Sequence, residues 1–199
     1  VNGNQLDDLT PLASLRKLLY LGLSETGLED GVEESALAPL TSLEQLVFLS
    51  LGKNPGLDLS PVASLNNLMA LFNHDSDLTD TDLAALSGMD SLFWVIVHNN
   101  DLTHLNGLAN CADMSEVHVF NNPDFDTVPD FFPKMQVFTA DSDALEDISD
   151  LGDLLLVKQL SLSDNLIDDI TALLDIEAFE GEAVINLLDN PLDDPDTCA

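Results

Sequence analysis

Apolar residues recur along the chain in one register. Leu15-x-x-Leu18-x-x-Leu21-x-Leu23-x-x-Thr26 is followed by Leu43-x-x-Leu46-x-x-Leu49-x-Leu51-x-x-Asn54. The spacing returns at Leu65, Leu68, Leu71, Asn73 and Ser76, at Met89, Leu92, Val95, Val97 and Asn100, and at Cys111, Met114, Val117, Val119 and Asn122. Three further units follow: Phe132, Met135, Phe138, Ala140 and Asp143; Leu154, Val157, Leu160, Leu162 and Asn165; Phe179, Glu182, Ile185, Leu187 and Asn190. Repeats therefore start near 15, 43, 65, 89, 111, 132, 154 and 179, behind a partial first repeat, 1–14, and ahead of a turn-rich tail, 193–199. Self-similarity at this period predicts one stacked domain over 1–199, because a single unit cannot bury its own apolar face.

Side chains of a strand alternate between faces, so the two leucine-like residues of each L-x-L enter a core and their neighbours face out. The asparagine three residues beyond has an amide suited to pairing backbone groups at the turn. Thr26, Ser76 and Asp143 replace it but keep a hydrogen-bonding oxygen. The second half of each repeat adds core residues such as Leu57, Leu59 and Val62, or Phe125, Val128 and Phe131. Thr79 to Asp82 offers caps for a helix that Gly88 ends, and Glu29 to Ala38 is a second candidate. Val1 falls at an inward strand position, so the first repeat begins halfway through, as in a fragment or in a subunit whose edge another chain covers.

This register resembles the leucine-rich-repeat family, in the form with repeats of about 22 residues found in bacterial internalin-like surface proteins. The resemblance covers essentially the whole chain. It implies an α/β fold: a right-handed solenoid with a concave parallel β-sheet and a convex side of turns, 3₁₀ segments and short helices. It also implies an extracellular or cell-surface location. A function does not follow from it, because solenoids host many unrelated binding roles.

Charge narrows the partners. Asp and Glu number 37 against 5 Lys and Arg, a net −32, and the acidic residues are spread along the whole chain. Such a field repels nucleic acid, whose binding needs clustered cations. The longest apolar run, Leu92-Phe-Trp-Val-Ile-Val97, is far too short for membrane insertion. The acidity has three readings: solubility in salty surroundings, attraction to a basic partner, or weak divalent-cation binding. Acidic runs such as Asp75 to Asp82 lack the spacing of a helix–loop–helix calcium loop. Cys111 takes an inward position and Cys198 lies beyond the last repeat, about 15 Å away at roughly 4.8 Å per strand, too far for a disulfide. Hydrolase, phosphate-loop, zinc-protease and dithiol motifs are all missing, so no enzyme and no cofactor are expected.

The outward strand positions are unevenly filled. The only Trp, the only Tyr, three of nine Phe and three of four His fall on the first five strands. Tyr20, Phe48, Phe72, His74, Trp94, Ile96, His98, His118 and Phe120 are thus the candidate partner-binding residues, since a contiguous apolar patch rimmed by charge marks an interaction site. Aromatic residues also suit strands for purely structural reasons, by stacking with cross-strand neighbours. His74, His98 and His118 are close enough to be candidate metal ligands, although nothing in the spacing completes the set and no metal is expected. Negative surroundings would favour their protonation. Two roles fit: a recognition module for a protein or peptide, or a structural subunit that self-associates through uncapped ends into a filament.

Overall fold

The computed structural model describes residues 1–31, 35–154, 156–176 and 183–192. Its frame is an eight-stranded sheet, all parallel, in which spatial order equals chain order. The strands are β1 (Tyr20–Gly22), β2 (Phe48–Ser50), β3 (Ala70–Phe72), β4 (Trp94–Ile96), β5 (Glu116–His118), β6 (Val137–Thr139), β7 (Gln159–Ser161) and β8 (Val184–Asn186). The register is uniform: Leu21, Leu49, Leu71, Val95, Val117, Phe138, Leu160 and Ile185 form one inward row. From β1 to β7 that row, with the apolar residues three before and two after it, forms one continuous core, whereas Ile185 on β8 is 40% exposed. The solenoid read from the spacing is therefore the observed architecture.

On the return side, 3₁₀ turns run over Thr10–Ser14, Ala38–Ser42, Ser60–Ser64, Asn106–Leu108, Ser149–Asp153 and Thr171–Asp175. Pro11, Pro39 and Pro61 open the first three of these, at a position where proline's missing N–H costs nothing. Aspartates set several of the turns. Asp8, Asp58, Asp147 and Asp169 each accept the backbone N–H two residues on, at 2.7 to 2.9 Å. Bonding from Thr10, Ser60, Ser149 and Thr171 lowers the pKa of all four carboxyls. Part of the acidity is thus spent on shaping turns.

The asparagine ladder joins the repeats. In Asn100, Nδ2 donates to the Val97 carbonyl of its own strand at 2.8 Å and to Asn73 of the preceding repeat at 3.0 Å. Its Oδ1 accepts the N–H groups of Ser76 and Leu78. Asn54, Asn165 and Asn190 repeat the pattern. Asn4 makes the local part of the pattern, donating to the Val1 and Asn2 carbonyls. Buried backbone groups at each turn are thereby paired from the side.

Several expectations need correction. The helix after Thr79 is one turn only, α1 (Asp80–Ala84), opened by Thr79 N–H and Oγ1 bonding to the Asp82 carboxylate. The segment from Glu29 to Ala38 gives no helix among its described residues, and the 3₁₀ turn begins at Ala38. Val1 and Leu15, placed inward by their register, are about half exposed or more. Phe131 is only partly buried. Phe179, Glu182, Cys198 and the tail 193–199 lie outside the described residues. Cys111 is buried as expected, and burial pushes its thiol up to about 11, so it is held as an unreactive SH group. No helix among the described residues is long and apolar enough to cross a membrane.

Candidate functional site

Because the strands are in register, every outward position stacks above its counterpart in the next repeat. The first outward position brings Tyr20, Phe48, Ala70 and Trp94 into a column, the second Phe72, Ile96 and His118, and the third Gly52, His74, His98 and Phe120. Two aromatic series result. Tyr20 meets Phe48 with ring centres 6.4 Å apart, Phe48 meets Phe72 edge-on at 4.8 Å, and Phe72 meets Trp94 edge-on at 4.6 Å. Beside it His74, His98 and Phe120 form a parallel stack, at 4.8 and 4.3 Å. Mutual packing leaves most of these rings half-buried, while Tyr20 is 68% exposed. Ile96 is half-buried in the middle of the sheet.

His118 stands apart from the other histidines. Its Nε2 lies 2.8 Å from Glu116 Oε1 and its Nδ1 2.8 Å from Thr139 Oγ1, so both ring nitrogens are engaged. The metal-ligand trio His74, His98 and His118 is therefore not what the fold assembles. The group that converges is His74, Asp75 and His98, with one donor atom from each within 4.8 Å of the others. In the sequence Asp75 stands out only as part of an acidic run and is not joined to the histidines, because it belongs to the turn after β3 and the outward list stops at His74. The expectation that negative surroundings favour protonation fails for His98: burial, followed by the neighbouring His74, lowers its pKa despite Asp75.

Beyond the strands, Glu25, Lys53, Asp75, Asn99, Asn121, Ser142, Asp164 and Asp189 adopt the left-handed conformation at one equivalent position of each repeat, with φ between +54° and +61°, and Asp77 adds a second in the third repeat. Asparagine and aspartate accept that region at least cost among residues bearing a Cβ. Their side chains cross-link neighbouring repeats, as in Asn99 Nδ2 to Asp75 Oδ1 at 3.0 Å and Asn121 Nδ2 to Asn99 Oδ1 at 2.9 Å. The later strands replace rings by hydroxyls. Asp141 Oδ1 accepts from Ser161 Oγ, Ser163 N and Ser163 Oγ at 2.6 to 2.7 Å, a small polar network with no aromatic member.

The opposite rim differs in charge. The five residues that lead into each of β1–β7 include four of the five basic side chains, Arg16, Lys17, Lys134 and Lys158, but only three acidic ones, Glu44, Asp90 and Asp113. Most of the other acidic residues among the described ones lie after the strands and on the return side. The residue just before each strand is also apolar in the first four repeats: Leu19, Val47, Met69 and Phe93. Leu19, Val47 and Met69 share a groove with Gln45, Asn67, Ser91 and Asp113, so the aromatic surface continues over this near-neutral rim. Both features sit at fixed repeat positions and are legible in the aligned repeats.

No protein-family model matches the sequence, and no curated protein matches it. Solved structures do. Internalin C2 of Listeria monocytogenes superposes with a TM-score of 0.78 at 23% identity, over 95% of this chain and 78% of that one. An internalin, InlF, of the same organism gives 0.73 at 22% over 96% of this chain, which spans 60% of its length. A leucine-rich-repeat protein of Leptospira interrogans gives 0.78 at 19%, over 98% and 49%. At these identities the likeness is one of fold, and that fold is the leucine-rich-repeat solenoid.

Proposed function

We propose that the chain is a non-catalytic recognition module, displayed outside the cell or on its surface, that holds a protein or peptide segment across β1–β5. The observation that carries this reading is the unbroken series Tyr20, Phe48, Phe72, Trp94, flanked by the His74–His98–Phe120 stack and continuous with Leu19 and Met69. Aromatic residues that are already packed lose little side-chain entropy on binding, and interface hot spots concentrate on such residues. Charge orients the partner. An apolar anchor sits over the aromatic columns, and basic flanking residues point toward the acidic rim that follows the strands. The likeness to internalins supports the placement at the surface.

A displayed library of random peptides selected on the immobilised chain tests this. Selected sequences should carry an aromatic or aliphatic anchor beside Lys or Arg. Trp94→Ala should weaken the best of them at least tenfold, about 1.4 kcal/mol, while Ser163→Ala on the polar strands leaves affinity within about twofold. Peptides that bind Trp94→Ala as well as the parent would sink the reading.

A second reading, end-to-end self-association, is favoured by exposed apolar residues at the two ends: Leu19 and Tyr20 on the first repeat, Leu174, Val184 and Leu188 on the last. A non-closing contact of that kind makes filaments. Light scattering after size-exclusion chromatography, at low and high salt, distinguishes the two, since screening the −32 charge would promote assembly. A constant monomer mass excludes the second.

A further inference from the structure

We propose that His74, Asp75 and His98 bind a divalent late transition-metal ion, of the Zn²⁺ or Cu²⁺ class, where β3 and β4 turn toward the acidic rim. Three donors from two adjacent repeats converge there within 4.8 Å. A tetrahedron with ~2.0 Å bonds has edges of about 3.3 Å, so the widest gap has to close by only about 1.5 Å. Each donor is held. The left-handed turn at Asp75 directs its carboxylate back to His74 Nδ1, at 2.6 Å, and Asn99 fixes the other oxygen at 3.0 Å. His74 lies over Gly52, where an added Cβ would sit 2.7 Å from Nε2, so the glycine makes room for the imidazole. Phe120 backs the His98 ring from the far side.

An independent observation points the same way. His98 Nδ1 is buried and has no hydrogen-bond partner among the described residues, although buried nitrogens are nearly always paired. Two nitrogen donors to one oxygen select against Ca²⁺ and Mg²⁺, which take oxygen shells, and in favour of Zn²⁺ and Cu²⁺. The large negative charge of the molecule raises the local cation concentration. Three protein ligands leave a fourth position for water or for a group supplied from outside.

Isothermal titration of the whole chain with Zn²⁺ at pH 7.5, in the presence of millimolar Mg²⁺, tests the site. One saturable event near 1:1, in the micromolar range or tighter, is expected. His98→Ala and Asp75→Asn should each weaken it at least tenfold; Asp75 is exposed, so its conservative variant keeps the fold, which circular dichroism verifies. His104→Ala, removing the histidine beside Asp80, and Cys198→Ala should bind like the parent. Co²⁺ in place of Zn²⁺ should give visible absorption bands that the His98→Ala chain lacks. No saturable heat, heat abolished by Mg²⁺, equal affinity in His98→Ala, or loss in Cys198→Ala would each overturn the assignment.

Discussion

Asn73→Leu is expected to stabilise the chain by about 3 kcal/mol. Asn73 occupies the second inward position of its repeat, where the flanking repeats carry Leu51 and Val97. It is 1% exposed, and neither its amide nitrogen nor its amide oxygen has a hydrogen-bond partner among the described residues. Burying an unpaired amide costs roughly 1–3 kcal/mol by mutational measures, and leucine at a fully buried site adds roughly 1.5–3 kcal/mol of transfer free energy. The side chains are close in length, so overpacking is limited to about a kcal/mol. Urea unfolding should show a higher midpoint with an unchanged slope. A lower midpoint would mean that the amide is satisfied in solution or that the slot is too tight for leucine.

Asp143→Asn is the complementary case, and its effect depends on pH. Asp143 stands in the asparagine ladder, where one oxygen accepts the N–H of Asn122 at 2.6 Å and the other is buried without a partner. As a carboxylate it cannot donate to the carbonyls that Asn100 and Asn165 reach. Burial, reinforced by Asp141, outweighs the Asn122 bond and pushes its pKa up to about 8. The folded chain therefore keeps a proton that the unfolded chain releases near pH 4. Stability from this group is fully present below about pH 4 and falls by on the order of 1 kcal/mol per unit as pH rises toward 8, above which nothing more is lost. Asparagine supplies the donor at every pH. The variant should match the parent near pH 4 and exceed it by about 3 kcal/mol at pH 9, the scale of an uncompensated buried charge. The turn carboxyls Asp8, Asp58, Asp147 and Asp169 titrate with the opposite sign, losing stability as pH falls through their lowered range, and cancel in the difference. A gain independent of pH would show that Asp143 is ionised throughout.

Both positions show what the amino-acid pattern could and could not convey. The inward row, the outward columns and the ladder were legible because a period of two within a period of about 22 leaves one consistent register. Leucine at 23 or 51 and asparagine at 54 or 100 simply satisfy it. The cost of Asn73 and Asp143 was not legible, because a polar residue at a core or ladder position is harmless if a neighbour completes its bonds, and that depends on atoms in adjacent repeats. The same limit explains the histidines. Column sharing placed His74 beside His98, but side-chain rotation decided that His118 turns to Glu116 and Thr139 while Asp75 joins the pair. Tyr20, Phe48, Phe72 and Trp94 were identified by position alone, and their edge-to-face packing is a fact of the fold.

Every strand of the sheet pairs only with the strand before and after it in the chain, from β1 to β8. Tension applied along the described repeats would therefore find no pairing between distant strands to break. Each repeat peels from its neighbour by rupturing one three-residue pairing, the turn bonds beside it and, where the ladder carries asparagine, one rung, so the force trace should be a low, even plateau and not a single tall peak. A tethered ligand held on β1–β5 would be carried by a spring that lengthens repeat by repeat and rewinds when the load is removed.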